Sequence, residues 1–325
     1  LAPLDKDELQ LLLDDPISLE LSDNRSELVP RIPQHAFVIL ARQLREEGRL
    51  ELLLPEALPE QLTAVFDLDV WRAGRLQVPQ ARAWLTQIIS CYSDARRSRG
   101  DLTRLMYAMD PEMWTLAVHH GTAVMPLDPD DDERREQARA AVEGLTTFET
   151  PDASYLVAVP NHELGHQAIS IIEAVYHDSL EDGRRLVNSL RAALASQLEE
   201  DLLRWRSGRL ADLGFVEWEE AMRLFTPLPR GSVNTEEHRT FAEVDTTAIE
   251  VVGWGRSDLL RRVLDQLTPQ QHGVRTREFT LLINEVMAAQ RFEPGDPKHQ
   301  QRAIHQAQAT VSLGLEMLAG SRESE

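Results

Sequence analysis

Apolar residues recur at helical rather than alternating spacing along most of the chain. In Ala36 to Glu47, Pro59 to Phe66 and Pro79 to Tyr92 they return every three or four positions, as a helix with one buried face requires. Asp110-Pro111 supplies an N-cap and a proline at the first helical position, so another helix starts there. A wheel drawn at about 100° per residue gathers Leu164, Ala168, Ile171, Ile172, Val175 and Tyr176 on one face, and residues 184 to 206 read as a further long helical stretch. A helix from near Glu217 carries Trp218, Ala221, Met222 and Phe225 before Pro227 stops it. Pro294-Gly-Asp-Pro297 then combines a turn, an N-cap and a helix-starting proline, after which Ala303, Ala307, Val311, Gly314, Leu315 and Leu318 trace a last buried face. One region departs from this pattern. Thr146 to Phe148 and Tyr155 to Val159 are β-prone and flank Thr150-Pro-Asp-Ala-Ser154, which reads as a turn.

The expected fold is mainly α, with two helical lobes joined around a single small β-hairpin. Residues 1–33, punctuated by Pro16, Pro30 and Pro33, form an N-terminal helix and linker. Residues 34–145 form an N-terminal helical lobe, residues 146–320 the hairpin plus a C-terminal helical lobe, and residues 321–325 a fraying tail. A length of 325 residues suffices for two cores. The cadence of short helices resembles a helical solenoid, but no fixed repeat period runs through it.

Charge and cysteine usage narrow the partners. With 54 acidic against 34 basic residues the formal net charge is −20, so a phosphate backbone or an anionic bilayer is repelled and a basic protein is the partner that the surface suits. No apolar run approaches the ~20 residues of a membrane span. Cys91 is the only cysteine, which excludes an internal disulfide framework and a paired-cysteine metal site and points to a reducing cytoplasm. The chain begins at Leu1 rather than methionine, which leaves room for an upstream segment.

Recognisable chemistry is concentrated in His162-Glu163-Leu164-Gly165-His166, which spells H-E-x-x-H. In zinc hydrolases that motif places two imidazoles one helical turn apart on the metal and a glutamate as general base. The candidate ligands are His162, His166, Glu173 and His177, on one side of the wheel, with Glu163 as the catalytic base. Three features weigh against zinc. Val159-Pro160-Asn161 starts the helix at His162, which puts both imidazoles in the first turns, where the helix dipole opposes a cation. No His-x-x-Gly-x-x-His continuation follows. A straight helix also cannot wrap four of its own side chains around one ion. The favoured expectation is therefore no catalytic residue, no metal and no cofactor, with a peptidase-like, zinc-dependent metallohydrolase as the alternative.

Two other stretches mimic sites. Asp128, Asp130, Asp131 and Asp132 lack the glycine and terminal glutamate of a calcium loop and suit a solvated helix N-terminus. Val251-Val-Gly-Trp-Gly-Arg-Ser-Asp258 mimics the start of a dinucleotide fingerprint, with Asp258 in place of the third glycine.

Several stretches together resemble one family. Phe66-Asp-Leu-Asp-Val-Trp71-Arg with Ala83-Trp84-Leu85, the run from Arg204 to Phe215, and Pro294-Gly-Asp-Pro297 leading to Ser312-Leu-Gly-Leu-Glu316 look like the bacterial family called domain of unknown function 6178. The resemblance covers about Val29 to Leu318, and Arg209-Leu-Ala-Asp-Leu-Gly-Phe215 is its most specific part. It implies no reaction, because the family has no established activity. It also implies that the H-E-x-x-H letters are local to this chain, since relatives show acidic and apolar residues there.

Within the specific stretch, Arg206 and Arg209 beside Asp212 are placed to fix a helix–loop–helix junction. Leu210, Leu213 and Phe215 are expected to be buried, Asp212 to bond backbone amides or an arginine, and Gly214 to take a left-handed cap conformation. With Trp205, these residues also form the candidate contact surface. The function expected from the sequence is a cytoplasmic, non-catalytic interaction or regulatory protein.

Overall fold

Prolines mark where several helices begin, because the fixed φ of proline suits the first turn and its missing N–H is not needed there. Pro59, Pro111, Pro269 and Pro297 each occupy the first position of a helix. The computed structural model describes residues 4, 6–22, 24–72, 74–92, 98–128, 130–226, 258–264, 266–294 and 296–322. In chain order the elements are α1 (Lys6–Asp14), α2 (Arg25–Leu28), α3 (Gln34–Glu46), α4 (Pro59–Asp69), β1 (Trp71–Arg72), β2 (Arg75–Leu76), α5 (Val78–Tyr92), α6 (Asp101–Met109) and α7 (Pro111–His119). There follow β3 (Ala123–Pro126), α8 (Asp132–Ala141), β4 (Thr146–Glu149), β5 (Tyr155–Val159), α9 (Glu163–Asp178), α10 (Leu180–Ala192), α11 (Ala195–Asp212) and α12 (Trp218–Ala221). Helices Asp258–Leu264, Pro269–Ala289 and Pro297–Arg322 complete the described chain. The fold is mainly α.

The chain divides into two units, Leu1–Ala2 with Asp15–Arg204 and Pro3–Asp14 with Trp205–Glu325. The division falls within α11. The hairpin expected between two lobes, and the expected boundary at 145/146, lie inside the first unit.

The expected hairpin forms from Thr146–Glu149 and Tyr155–Val159, paired as Thr146↔Val159 through Glu149↔Leu156. It is not alone. β3 joins on the other side of β5, giving the antiparallel order β3-β5-β4, and β1 pairs with β2 in a separate short hairpin whose turn carries Gly74 at φ 73°. Both additions are too short to show an alternating pattern, and β3 draws its place from pairing with the buried β5 rather than from its own residues. Leu156 and Ala158 of β5 pack with Leu127 and Val142, and Met125 and Ala138 pack against that cluster, so α8 covers this face. The turn before β5 is held by Asp152, which accepts hydrogen bonds from the Thr150 hydroxyl (2.7 Å), the Ser154 amide (3.3 Å) and Arg184 Nε of α10 (2.7 Å). Burial alone would raise the Asp152 carboxyl, but the bonds from Thr150, Arg184 and Ser154 hold it down at about 2.

The helical stretch expected over 184–206 is two helices, broken at Ala193 and Leu194. Ser179 opens the first by accepting the Asp182 amide, and Gly183 lets it lie directly on α9, since a Cβ there would meet the Tyr176 ring at 2.4 Å. The segment expected as a linker is largely helical, with α1, α2 and two 3₁₀ turns at Pro16–Leu21 and Val29–Arg31. Asp131, as expected of a helix N-terminus, caps α8 by accepting the Arg134 amide at 3.0 Å. The stretch 251–257 and Pro227 lie outside the described residues.

The core of the first unit is built on Trp84, Trp114, Phe37 and Phe66, all fully buried. Asp69 sits among them. It accepts Trp84 Nε1 and Gln80 Nε2 at 2.7 Å each and pairs with Arg42 at 2.7 Å, while Arg45 lies over the Trp84 ring. Burial pushes the Asp69 carboxyl up, but Arg42 and the Trp84 and Gln80 bonds outweigh it and hold the group below its ordinary value. In the second unit Phe279, Ile283, Val286 and Met287 of Pro269–Ala289 pack on Ala303, Ile304 and Ala307 of Pro297–Arg322.

Candidate functional site

The helix carrying H-E-x-x-H begins one residue later than its letters suggest. His162 is the N-cap of α9, in extended conformation, and its Nδ1 accepts the Gly165 amide at 3.2 Å. Asn161, the expected cap, instead accepts the Thr146 hydroxyl at 3.3 Å. Gly165 is required by space rather than by conformation. A Cβ there would lie 2.1 Å from the Pro160 carbonyl oxygen and 3.1 Å from Val159 Cγ2, so the first turn of α9 rests directly on the end of β5.

Glu163 and His166 stay at the surface. Glu163 is exposed and accepts Gln167 Nε2 at 3.4 Å, and His166 Nε2 lies 3.3 Å from Thr146 Oγ1 of β4. Glu173 and His177 are exposed further along the same helix. Among the described residues no three His, Cys, Asp or Glu side chains come together as a metal-binding group. The structure thus places His162 at the N-cap and His166 in the first turn of α9, and among the described residues no third ligand converges on them.

A buried cation that sequence reasoning passed over stands behind the motif. Arg82 of α5 is 2% exposed and donates to four backbone carbonyls: Ala117 (2.8 Å), Val118 (3.0 Å) and His120 (2.6 Å) at the end of α7, and Leu164 (2.6 Å) in the first turn of α9. A guanidinium at a helix C-terminus satisfies orphan carbonyls and complements the negative end of the dipole. Burial lowers Arg82 to about 10, so the group is still charged near neutral pH. It has no carboxylate partner among the described residues. The sequence signal was its position: Arg82 follows Ala81 and precedes Trp84, Leu85 and Ile88 on the apolar side of α5.

Arg82 also lines a cavity of about 640 Å³ within the first unit. Arg75, His120, His162 and Glu199 share its wall with apolar groups that include Leu76, Leu116 and Leu164. Glu199 accepts the Leu76 amide at 3.0 Å. No single motif defines this grouping, because its members come from four separate stretches of chain, of which only 160–164 overlaps the H-E-x-x-H letters.

The second candidate stretch lies in the second unit. α11 ends in a Schellman arrangement: the Phe215 amide donates to Leu210 O and the Gly214 amide to Ala211 O, both at 2.9 Å, with Gly214 at φ 84°. The expected glycine cap is present. Asn284 Nδ2 donates to the Gly214 and Leu213 carbonyls at 3.1 and 3.4 Å, closing the end from another helix. Leu210 is buried, whereas Leu213 and Phe215 are half-buried, Phe215 against the Phe279 cluster. Asp212 is exposed and bonds neither an amide nor an arginine among the described residues, and the group that closes this helix end is instead a donor, the Asn284 amide, on the Leu213 and Gly214 carbonyls. Arg206 and Arg209 are half-buried, and Trp205 is 63% exposed. Beyond the cap, Trp218 donates to Ala289 O at 3.3 Å under the Arg291 guanidinium, while Met222 and Phe225 are exposed.

Among the described residues no helix is long and apolar enough to cross a membrane. No curated protein and no solved structure matches the chain. The buried Asp69–Trp84 network and the Gly214 cap coincide with two of the stretches that carried the family resemblance, and the family model, described as a family of unknown function, matches residues 18–325, so the chain belongs to the DUF6178 family.

Proposed function

We propose that the protein is a non-catalytic helical interaction or regulatory protein of the cytoplasm that engages a protein partner. The observation that carries this proposal is the use of His162 as a helix cap. Its Nδ1 is spent on the Gly165 amide, so the most reaction-like letters of the chain serve to start a helix. Exposed Trp205, Met222 and Phe225 supply aromatic and sulfur-containing surface of the kind that interfaces favour. The net charge of −20 favours a basic partner, and the lone Cys91 suits a reducing compartment.

Metal analysis tests the non-catalytic part of the proposal. Purified protein is expected to hold well under one zinc per chain, unchanged in His166→Ala. One zinc per chain, lost in His166→Ala together with peptide-bond hydrolysis, would overturn the proposal in favour of a zinc-dependent metallohydrolase with His162 and His166 as ligands and Glu163 as base.

A further inference from the structure

The cavity at the base of α9 combines four features that together select a ligand. Its volume, about 640 Å³, falls inside the range of roughly 300–1,000 Å³ in which small organic molecules bind. Its walls carry four arginine or histidine side chains, Arg75, Arg82, His120 and His162, against one carboxylate. That carboxylate, Glu199, is already engaged by the Leu76 amide.

Three of these groups have donor capacity left. Arg82 spends one N–H of Nη1, both of Nη2 and that of Nε on carbonyls, which leaves one Nη1 hydrogen on a guanidinium that is 2% exposed. Because His162 Nδ1 accepts the Gly165 amide, its neutral ring carries the proton on Nε2, which has no partner among the described residues. The Arg75 guanidinium is exposed and likewise has no carboxylate partner among the described residues.

The backbone adds to the same sign. α5, α9 and α11 all start at this cavity, with Val78, His162 and Ala195 in its wall, so the positive ends of three helix dipoles lie at its edge. The opposing negative end, at the close of α7, is neutralised by Arg82.

We infer that this cavity binds a small organic anion, its carboxylate or phosphate group held by Arg75, His120 and His162 and its body resting on Leu76, Leu116 and Leu164. In a chain of net charge −20 this is a local inversion of sign, which charge composition alone would not reveal. The inference goes beyond the interaction proposal and does not rest on it, because it concerns the first unit and a small molecule.

Calorimetric titration of the full chain at fixed ionic strength tests it, with phenyl phosphate, benzoate and uncharged phenol as probes. One or both anions should bind while phenol does not, and the tighter of the two identifies the head group. Arg75→Gln and His120→Gln both alter exposed side chains, so circular dichroism should stay unchanged while affinity for the preferred anion falls about tenfold in Arg75→Gln and less in His120→Gln. Failure of both anions to bind the wild type would overturn the inference. So would phenol binding as tightly as the anions, or full affinity in both variants.

Discussion

Two helix ends carry the most distinctive letters of this chain, and both use glycine, for opposite reasons. At the start of α9, Gly165 has ordinary helical surroundings but no room, because the Pro160 carbonyl stands where a Cβ would go. At the end of α11, Gly214 is needed for its φ of 84°, a conformation that side chains resist. The first end is closed by a side chain of its own segment, His162, and the second by Asn284 from a distant helix. A motif that resembles catalysis and a motif that marks a family thus turn out to be two solutions to one problem, the unpaired groups at helix ends.

The difference can be broken experimentally. Gly165→Ala should cost the most, about 3 kcal/mol, since the clash is with backbone that cannot swing aside. Asparagine should be no better than alanine at that position. Gly214→Val should lose roughly 1 to 3 kcal/mol, but Gly214→Asn should recover much of the loss because asparagine tolerates the left-handed region. Urea denaturation of the four variants checks both statements, and equal behaviour of asparagine at the two sites would erase the distinction.

Smaller effects sharpen it. Asp152 ties the turn before β5 to α10, and its carboxyl lies at about 2 in the folded chain against 3.8 unperturbed. A depressed carboxylate stabilises the fold above its unfolded value and loses that contribution as pH falls through the folded one. Asp152→Asn should therefore be less stable than wild type near pH 6, by about 1 kcal/mol, and the gap should close between pH 4 and pH 2. Urea midpoints measured across that range provide the check. His162→Ala should cost somewhat less, about 0.5 to 1 kcal/mol, with His162→Asn restoring most of it as a conventional cap. A melting temperature unaffected by His162→Ala would remove the histidine from its capping role.

Much of the fold was legible because helices announce themselves locally. Asp110-Pro111 caps and opens α7 as its letters require, with Asp110 accepting the Glu112 amide at 3.0 Å. The hairpin was legible from β-prone residues around a Pro-Asp turn. β3 was not, because Ala123–Pro126 becomes a strand only when β5 is beside it. The break at Ala193 and Leu194 escaped notice since neither residue interrupts a helix by itself. At the two candidate stretches the glycine cap could be read from Leu-Gly-Phe, whereas the roles of Asn284 and Arg82 depend on partners about 70 and 35 residues away, which no local pattern records.

The tryptophans fall on different sides of the division in the chain, which makes the protein its own optical probe. Trp84 and Trp114 of the first unit are fully buried, and the Trp84 indole donates to the Asp69 carboxylate. Trp205 of the second unit is open to water. Dissolved acrylamide should therefore quench red-shifted emission from Trp205 while leaving the blue-shifted emission of the first unit largely intact. Loss of that protection on heating would then report the melting of the first unit without a label.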